Sequence, residues 1–570
     1  MVSKAREARG RLQRVVPVIA WLPAYQRKWL GGDIASALTA WAMTVPMAMA
    51  YAGIAGVPVQ YGLYTACLSL VAYAIFASSR NLNVGPTAAI AAVSAATVIP
   101  LAGGDPQRFL ILTTLLAFIV GTMLVVGGLA RAGFIAKLLA KPVLEGYIVG
   151  TAIFIAVGQA HKLFGIQTSG SNTFAEFADI FRQAGSWSWA TLAVGAGGLL
   201  FLYLLHWMIP RFPTALTVMV LSIVLAYALN LADHGVALVG EVPRGVSWFT
   251  LSGITVQDVV HLLPGALGLA LLAFAESLAI ARAFAGRHRR DVRASQEMIA
   301  LGAANLGSGL LQGFAVDGSF TRTAVSEQAG GKTQLASLIC SALIFSTLFL
   351  TWTLKYLPQA VLGAIVIFAV GRLIVFKPFA RLRRSSKADF ALALGAFFGV
   401  LIFGVMVGII IGVALSLAGL ILRTSKPHSA ILGVDDSGTR HGDLAERPDC
   451  KPYSPHLVIY RFDAPLIFSN VDEFVDDIRG LVEEADPQPR AVIVDFEMVY
   501  EMDTTASDEL TGLHAALNEA GVELILARVH APVLAFMRRD GITDTVGEDN
   551  IFFTVRDAVQ AFRERNPEFC

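Results

Sequence analysis

Residues 34–79 contain no Asp, Glu, Lys or Arg. A run of that length suits two helices of about 20 residues each crossing a bilayer. The feature recurs, with charge-free runs at 81–104, 109–130, 146–161, 183–210, 212–232, 333–354, 356–371 and 390–422. Residues 34–422 hold 36 charged side chains in 389 positions, whereas the other 181 residues hold 51. A soluble domain has about one charged residue in four. The sequence therefore predicts a polytopic membrane protein with a soluble tail, and argues against a secreted disulfide scaffold, a nucleic-acid binder and most soluble enzymes.

The net charge of +1 combines two unlike parts: residues 1–422 carry 30 basic and 15 acidic side chains, and residues 423–570 carry 14 and 28. The four cysteines, Cys67, Cys340, Cys450 and Cys570, form no CxxC pair, so neither a disulfide framework nor a zinc site is suggested. With apolar segments near 259–281 and 298–316 and a short one after Gly318, the sequence predicts about fourteen spans. Basic clusters at Lys4–Arg14, Arg131–Lys141, Arg282–Arg293 and Arg372–Lys387 then fall on the cytoplasmic face, with both termini inside. The expected divisions are a cytosolic segment 1–30, a transmembrane domain 31–423, a linker 424–452 and a soluble domain 453–566.

Two segments are too short or too polar for ordinary spans. One opens with Gly85-Pro86-Thr87-Ala88-Ala89 and the other with Gly318-Ser319-Phe320-Thr321-Arg322-Thr323. They are third in the first set of seven and third in the second. Interrupted segments at corresponding positions point to an inverted-repeat transporter with its site at the midplane. The alternative is a pair of irregular loops.

In the tail, Leu457–Phe462, Ala491–Phe496 and Val522–Val529 read as buried strands, and 470–485, 504–518 and 531–539 as amphipathic helices. A small α/β domain is expected. Asp503 or Thr504 suits a helix cap, and Thr504 and Thr505 are also candidates for regulatory phosphorylation.

Across nearly the whole chain the motifs resemble those of the sulfate permease (SulP) anion transporters. The run Val57-Pro58-Val59-Gln60-Tyr61-Gly62-Leu63-Tyr64, ending at Ala77-Ser78-Ser79-Arg80, is similar to that family's signature after the first span. Gly318–Val325, continuing to Gly331-Lys332-Thr333, is similar to its tenth-span motif, and the tail resembles the sulfate-transporter/anti-sigma-antagonist (STAS) domain. The resemblance implies an α-helical polytopic protein of 14 spans as a 7+7 inverted repeat, followed by a small cytosolic α/β STAS domain. It implies an anion held between the starts of spans three and ten, with span one closing the pocket. Carried over, it nominates Tyr51, Thr87, Ala88, Ser319, Phe320, Thr321 and Arg322 for the anion. Two departures stand out: Pro46-Met47 where many members have Pro-Gln, and Ala315 where many have proline.

The physics of these residues agrees. A helix beginning at the midplane leaves its first N–H groups unpaired and presents partial positive charge. Ala88 and Ser319 are small enough for close approach, Thr87 and Thr321 supply hydroxyls, and Arg322 adds a full charge unless it snorkels to the cytoplasmic face. Glu276 lies in Leu271–Ala279 with apolar turns on both sides. A carboxylate there is costly unless protonated, paired or facing water. The resemblance links its position to proton coupling; a structural ion pair, for example with Arg322, is the alternative.

The function expected is secondary active transport of sulfate or a related small anion, proton-coupled, by alternating access in the plasma membrane. Bicarbonate, chloride or C4-dicarboxylate transport or exchange, and a passive anion channel, are the alternatives. Uracil or xanthine transport on the same architecture is less favoured, because those permeases lack such a tail. A membrane-embedded enzyme would need clustered His, Asp or Glu in the spans, which the sequence does not offer. No Gly-x4-Gly-Lys-Ser/Thr loop indicates ATP hydrolysis. The partners expected are the anion, a proton, the bilayer and a second copy of the chain, with no cofactor, metal or nucleic acid.

Overall fold

The computed structural model describes residues 16–134, 140–168, 173–209, 212–241, 245, 248–249, 253–287, 291–349, 351–435 and 441–569. The basic stretch Lys4–Arg14 and parts of the clusters at Arg131–Lys141 and Arg282–Arg293 lie outside them. The chain divides into two compact units, Met1–Ser416 and Leu417–Cys570.

In the first unit the charge-free runs become helices. The 34–79 run gives Leu30–Ala55 and Val59–Phe76. They part at Gly56, whose left-handed backbone (φ 76°) lets its N–H bond the Ala52 carbonyl and end the first helix. The 390–422 run likewise divides at Gly404 into Lys387–Phe403 and Val405–Ser425. Among the described residues, seven helices are long and apolar enough to cross a membrane, and four shorter apolar helices include Ala88–Ala102 and Gln359–Gly371. Small residues allow the helices to pack closely. A Cβ on Gly62 would overlap the Ala48 carbonyl, so the first two helices touch backbone to backbone. Gly302 meets the Gly121 carbonyl in the same way between Ala294–Leu310 and Pro106–Leu129.

Two buried carboxylates act as staples around the short segments. Asp33 accepts bonds from Lys332 N (2.7 Å), Thr333 N (3.2 Å), Thr333 Oγ1 (2.7 Å) and Tyr25 Oη (3.1 Å). Glu297 accepts from Tyr73 Oη (2.5 Å), Ser78 N (2.8 Å), Ser78 Oγ (2.6 Å) and Ser79 N (2.7 Å). With four donors each, they are satisfied despite burial, and they fix the chain entering one short segment and leaving the other. Gln334 completes the frame by donating to the carbonyls of Ser79 and Leu82.

The second unit is built on a six-stranded sheet. Its strands are β3 (Ser429–Val434), β4 (His441–Asp443), β5 (Leu457–Phe462), β6 (Ala491–Asp495), β7 (Glu523–Ala527) and β8 (Ile551–Phe552), ordered β4-β3-β5-β6-β7-β8. From β5 to β8 the pairing is parallel, and β3 adds antiparallel to β5. Every residue of β6 is buried, as an apolar strand covered on both faces requires. One face packs against Val471–Glu483 and Thr504–Glu519, the other against Val555–Arg565. Part of the stretch expected as a linker, 424–452, is not a linker but supplies β3 and β4. The alternate burial along β3 sets it into the sheet and hides Ala430 and Leu432 against the second core. Asp503 caps Thr504–Glu519 by accepting from Ala506 N, and its other oxygen accepts from Phe468 N. Thr504 and Thr505 stand exposed beside that cap.

Candidate functional site

The two interrupted segments meet. Val84–Gly85 (β1) and Asp317–Gly318 (β2) pair antiparallel, Val84 opposite Gly318 and Gly85 opposite Asp317. Each strand runs directly into a short helix, Ala88–Ala102 and Phe320–Gln328. Because the strands are antiparallel, the helices leave one crossing in opposite directions with both N-termini at it. Thr87 stands at the N-cap in extended conformation, yet its side chain makes no capping bond, and among the described residues its buried Oγ1 has no hydrogen-bond partner at full geometry, although it lies against Asp317. The first turn of Ala88–Ala102 therefore keeps free N–H groups directed at the crossing. Ser319 differs from expectation in detail: its hydroxyl caps Phe320–Gln328 by accepting from Arg322 N (3.4 Å), and its N–H bonds the Asn83 carbonyl (2.9 Å). The N–H groups of Phe320 and Thr321 are the first-turn donors left at this end.

Arg322 turns inward rather than snorkelling. It is 1% exposed; its Nε donates to Asn83 Oδ1 (3.1 Å) and its Nη1 to the Pro86 carbonyl (2.7 Å). Its Nη2 is buried with no partner among the described residues. The guanidinium thus spans from one short helix to the strand leading into the other, with one donor to spare. Tyr51, on the first long helix, lies within electrostatic reach of Arg322 and Asp317. Thr323 Oγ1 accepts from Asn83 N (3.0 Å), so Asn83 is tied to the tenth-span motif through its N–H, its carbonyl and its side chain.

Glu276 sits half-buried in Val256–Arg287. Its carboxyl interacts with Asp317, not Arg322. The neighbouring Ser277 hydroxyl accepts from Gly318 N (2.7 Å), which holds this helix against β2.

A cavity of about 300 Å³ opens beside the crossing, lined among others by Met43, Met47, Phe320, Thr321, Phe368 and Arg372. Phe320, 51% exposed and tilted against the Phe284 ring at 5.3 Å between centroids, forms one wall. Met47, the departure from the family pattern, lines it too. Of the nominated residues, Phe320 and Thr321 face this cavity, whereas Tyr51, Thr87, Ala88, Ser319 and Arg322 belong to the more deeply buried crossing.

Asp317 and Asn83 were not singled out by the sequence reasoning. Asp317 directly precedes the Gly318-Ser319 motif in an otherwise uncharged stretch, 298–321, and that isolation was the signal available. Asn83 carried no signal, because its importance comes only from the pairing of β1 with β2.

A model of the sulfate permease family matches residues 30–396, and one of the STAS domain matches 448–558. A probable sulfate transporter of Mycobacterium tuberculosis is 36% identical over 550 residues, covering 96% of this chain and 98% of the relative. The chloroplastic sulfate transporter 4.1 of Arabidopsis thaliana is 29% identical over 569 residues, covering 96% and 82%. The murine Solute Carrier 26 family member A9 anion transporter shares the fold at a TM-score of 0.89 with 23% identity, covering 97% and 94%. The transmembrane domain of a cyanobacterium bicarbonate transporter, BicA, aligns at a TM-score of 0.59 with 20% identity, covering 69% of this chain and 98% of that one. The motifs, the crossed short helices and these matches together make the chain a polytopic membrane protein that belongs to the sulfate permease family and carries a C-terminal STAS domain.

Proposed function

We propose that the protein is a secondary active transporter of sulfate or a related small anion. The observation that carries the reading is the β1–β2 crossing, where two helix N-termini and the spare Nη2 of a buried arginine converge. Backbone N–H groups at two helix starts and one buried guanidinium suit a small anion. Sulfate is favoured because the relatives from Mycobacterium and Arabidopsis carry that name.

On this reading the membrane domain has fourteen spans in a 7+7 inverted repeat, and the anion crosses by alternating access. Tyr51, Thr87, Ala88, Ser319, Phe320, Thr321 and Arg322 form the anion site, and Glu276 carries the coupled proton. An anion and a proton entering one dry cavity favour each other, which is the thermodynamic content of symport. The carrier works as a homodimer in the plasma membrane with both termini cytoplasmic. The STAS domain, with Thr504 and Thr505 as possible phosphorylation sites, regulates or assembles the carrier and lies off the anion path. The test is exchange of labelled sulfate in proteoliposomes against a panel of unlabelled anions. Sulfate competing best supports the reading; bicarbonate, chloride or a C4-dicarboxylate competing better reassigns the substrate, and no exchange with any anion refutes it.

A further inference from the structure

The crossing holds one acid more than a single proton-coupling glutamate requires. Asp317 is 0% exposed, and its carboxyl oxygens meet no donor at full hydrogen-bond geometry among the described residues; the side chains it interacts with are Thr87, Glu276 and Arg322. The stapling carboxylates Asp33 and Glu297 take four donors each, so burial alone does not leave an acid unsatisfied in this fold. Asp317 is held in place by its backbone. It pairs with Gly85 across the crossing, and Gly318 next to it is pinned to Ser277, the neighbour of Glu276. Two carboxyls are thereby brought together from different elements, one fully buried and one half-buried.

We propose that Asp317 and Glu276 form one proton-sharing carboxyl pair, and that this pair, rather than Glu276 alone, takes up the proton that accompanies the anion. The proposal rests on the anion-site reading above and extends it to a residue outside the nominated set. The groups facing the pair are Tyr51 from Leu30–Ala55, Thr87 at the start of Ala88–Ala102, Tyr147 from Lys141–Phe164 and Arg322 from Phe320–Gln328, with Cys340 of Leu335–Thr347 behind Arg322. Among these there is one cation for two acids. With Arg322 balancing one carboxylate, the empty site is neutral when the pair holds one proton between them, since like charges in one dry site do not both ionise. An incoming anion draws in a second proton from the solution on the side to which the site is open. That proton leaves with the anion on the opposite side, and the pair returns to its one-proton state. Glu276, the half-buried member, is the one water can reach. Asp317 lies against Thr87 and Arg322 and registers whether the anion is present.

The test is the sulfate dissociation constant of the purified full-length protein at about pH 8 and about pH 6. The wild type is expected to bind about tenfold or more tightly at the lower pH, because one proton binds with the anion. In either single variant, Asp317→Asn or Glu276→Gln, the remaining carboxylate balances Arg322 and still takes up one proton with the anion, so each is expected to keep most of that ratio, and the double variant to lose it entirely. Asp317→Ser serves if the asparagine variant is not monodisperse. A wild-type ratio near one, loss of the whole ratio in Glu276→Gln with Asp317 intact, or a ratio kept by the double variant overturns the pair. Binding at equilibrium separates this from the transport reading. If the ratio behaves as expected but a pH gradient drives no uptake, symport fails and the pair stands.

Discussion

Replacing Arg322 probes both the frame and the proposed anion site, and two variants separate the effects. The guanidinium makes two bonds across the crossing, to Asn83 Oδ1 and the Pro86 carbonyl. A hydrogen bond from a charged donor contributes about 1.5–3 kcal/mol, so losing both removes about 3–6 kcal/mol from a fold whose net stability is of order 5–15 kcal/mol. Arg322→Gln is therefore expected to lower the thermal midpoint, and the helix dipoles alone do not spare it. Arg322→Lys loses the same fork and should lower the midpoint comparably. The variants differ mainly in charge. A unit charge about 5 Å from a monovalent anion contributes about 3 kcal/mol at an effective dielectric constant near 20, which is about 100-fold in Kd. Sulfate binding to purified, monodisperse protein at one pH should therefore be about 100-fold weaker for Gln than for Lys, and a divalent anion steepens the difference. Equal dissociation constants for the two variants would mean that the charge of Arg322 does not serve the anion.

Three further outcomes are expected. Gly62→Ala should abolish monodisperse protein on size-exclusion chromatography, because its Cβ has no room against the Ala48 carbonyl; normal yield would refute the close crossing. Met47→Gln places an amide in the cavity wall beside Phe320 and Thr321 and should change the order in which anions compete for exchange, without loss of folding; an unchanged series would place Met47 off the anion path. Asp503→Ala removes two backbone bonds and should destabilise the Thr504–Glu519 helix by about 1–2 kcal/mol, read as faster amide exchange at Ala506 and Phe468 in the full chain; unchanged exchange would show that the cap contributes nothing.

Much of this architecture was readable from residues whose physics is local. Charge-free runs become helices because a bilayer core admits few ions, whereas the breaks at Gly56 and Gly404, where the backbone has positive φ, came from the structure. Three of the six strands of the second unit, β5, β6 and β7, followed from apolar runs such as Ala491–Val494. What escaped depends on contacts distant in sequence. β1 and β2 are two residues each, too short for any periodicity, and they exist only because they pair across the 231 positions between Gly85 and Asp317. Asn83 and the Glu276–Asp317 approach follow from that pairing, and the same dependence hid β3 and β4, which looked polar enough for a linker. Ser319 was correctly placed at a helix start, but its hydroxyl is engaged as a cap, which only coordinates reveal.

The most direct test of the central claim is accumulation of labelled sulfate in proteoliposomes with an acidic exterior, set beside exchange at equal pH, for the wild type and the double variant Glu276→Gln with Asp317→Asn. Proton-coupled transport predicts that the wild type concentrates sulfate above its external level. It also predicts that the double variant, a mimic of the fully protonated pair, still exchanges but no longer accumulates. Accumulation by the double variant on the pH gradient alone, or none by the wild type, would contradict it.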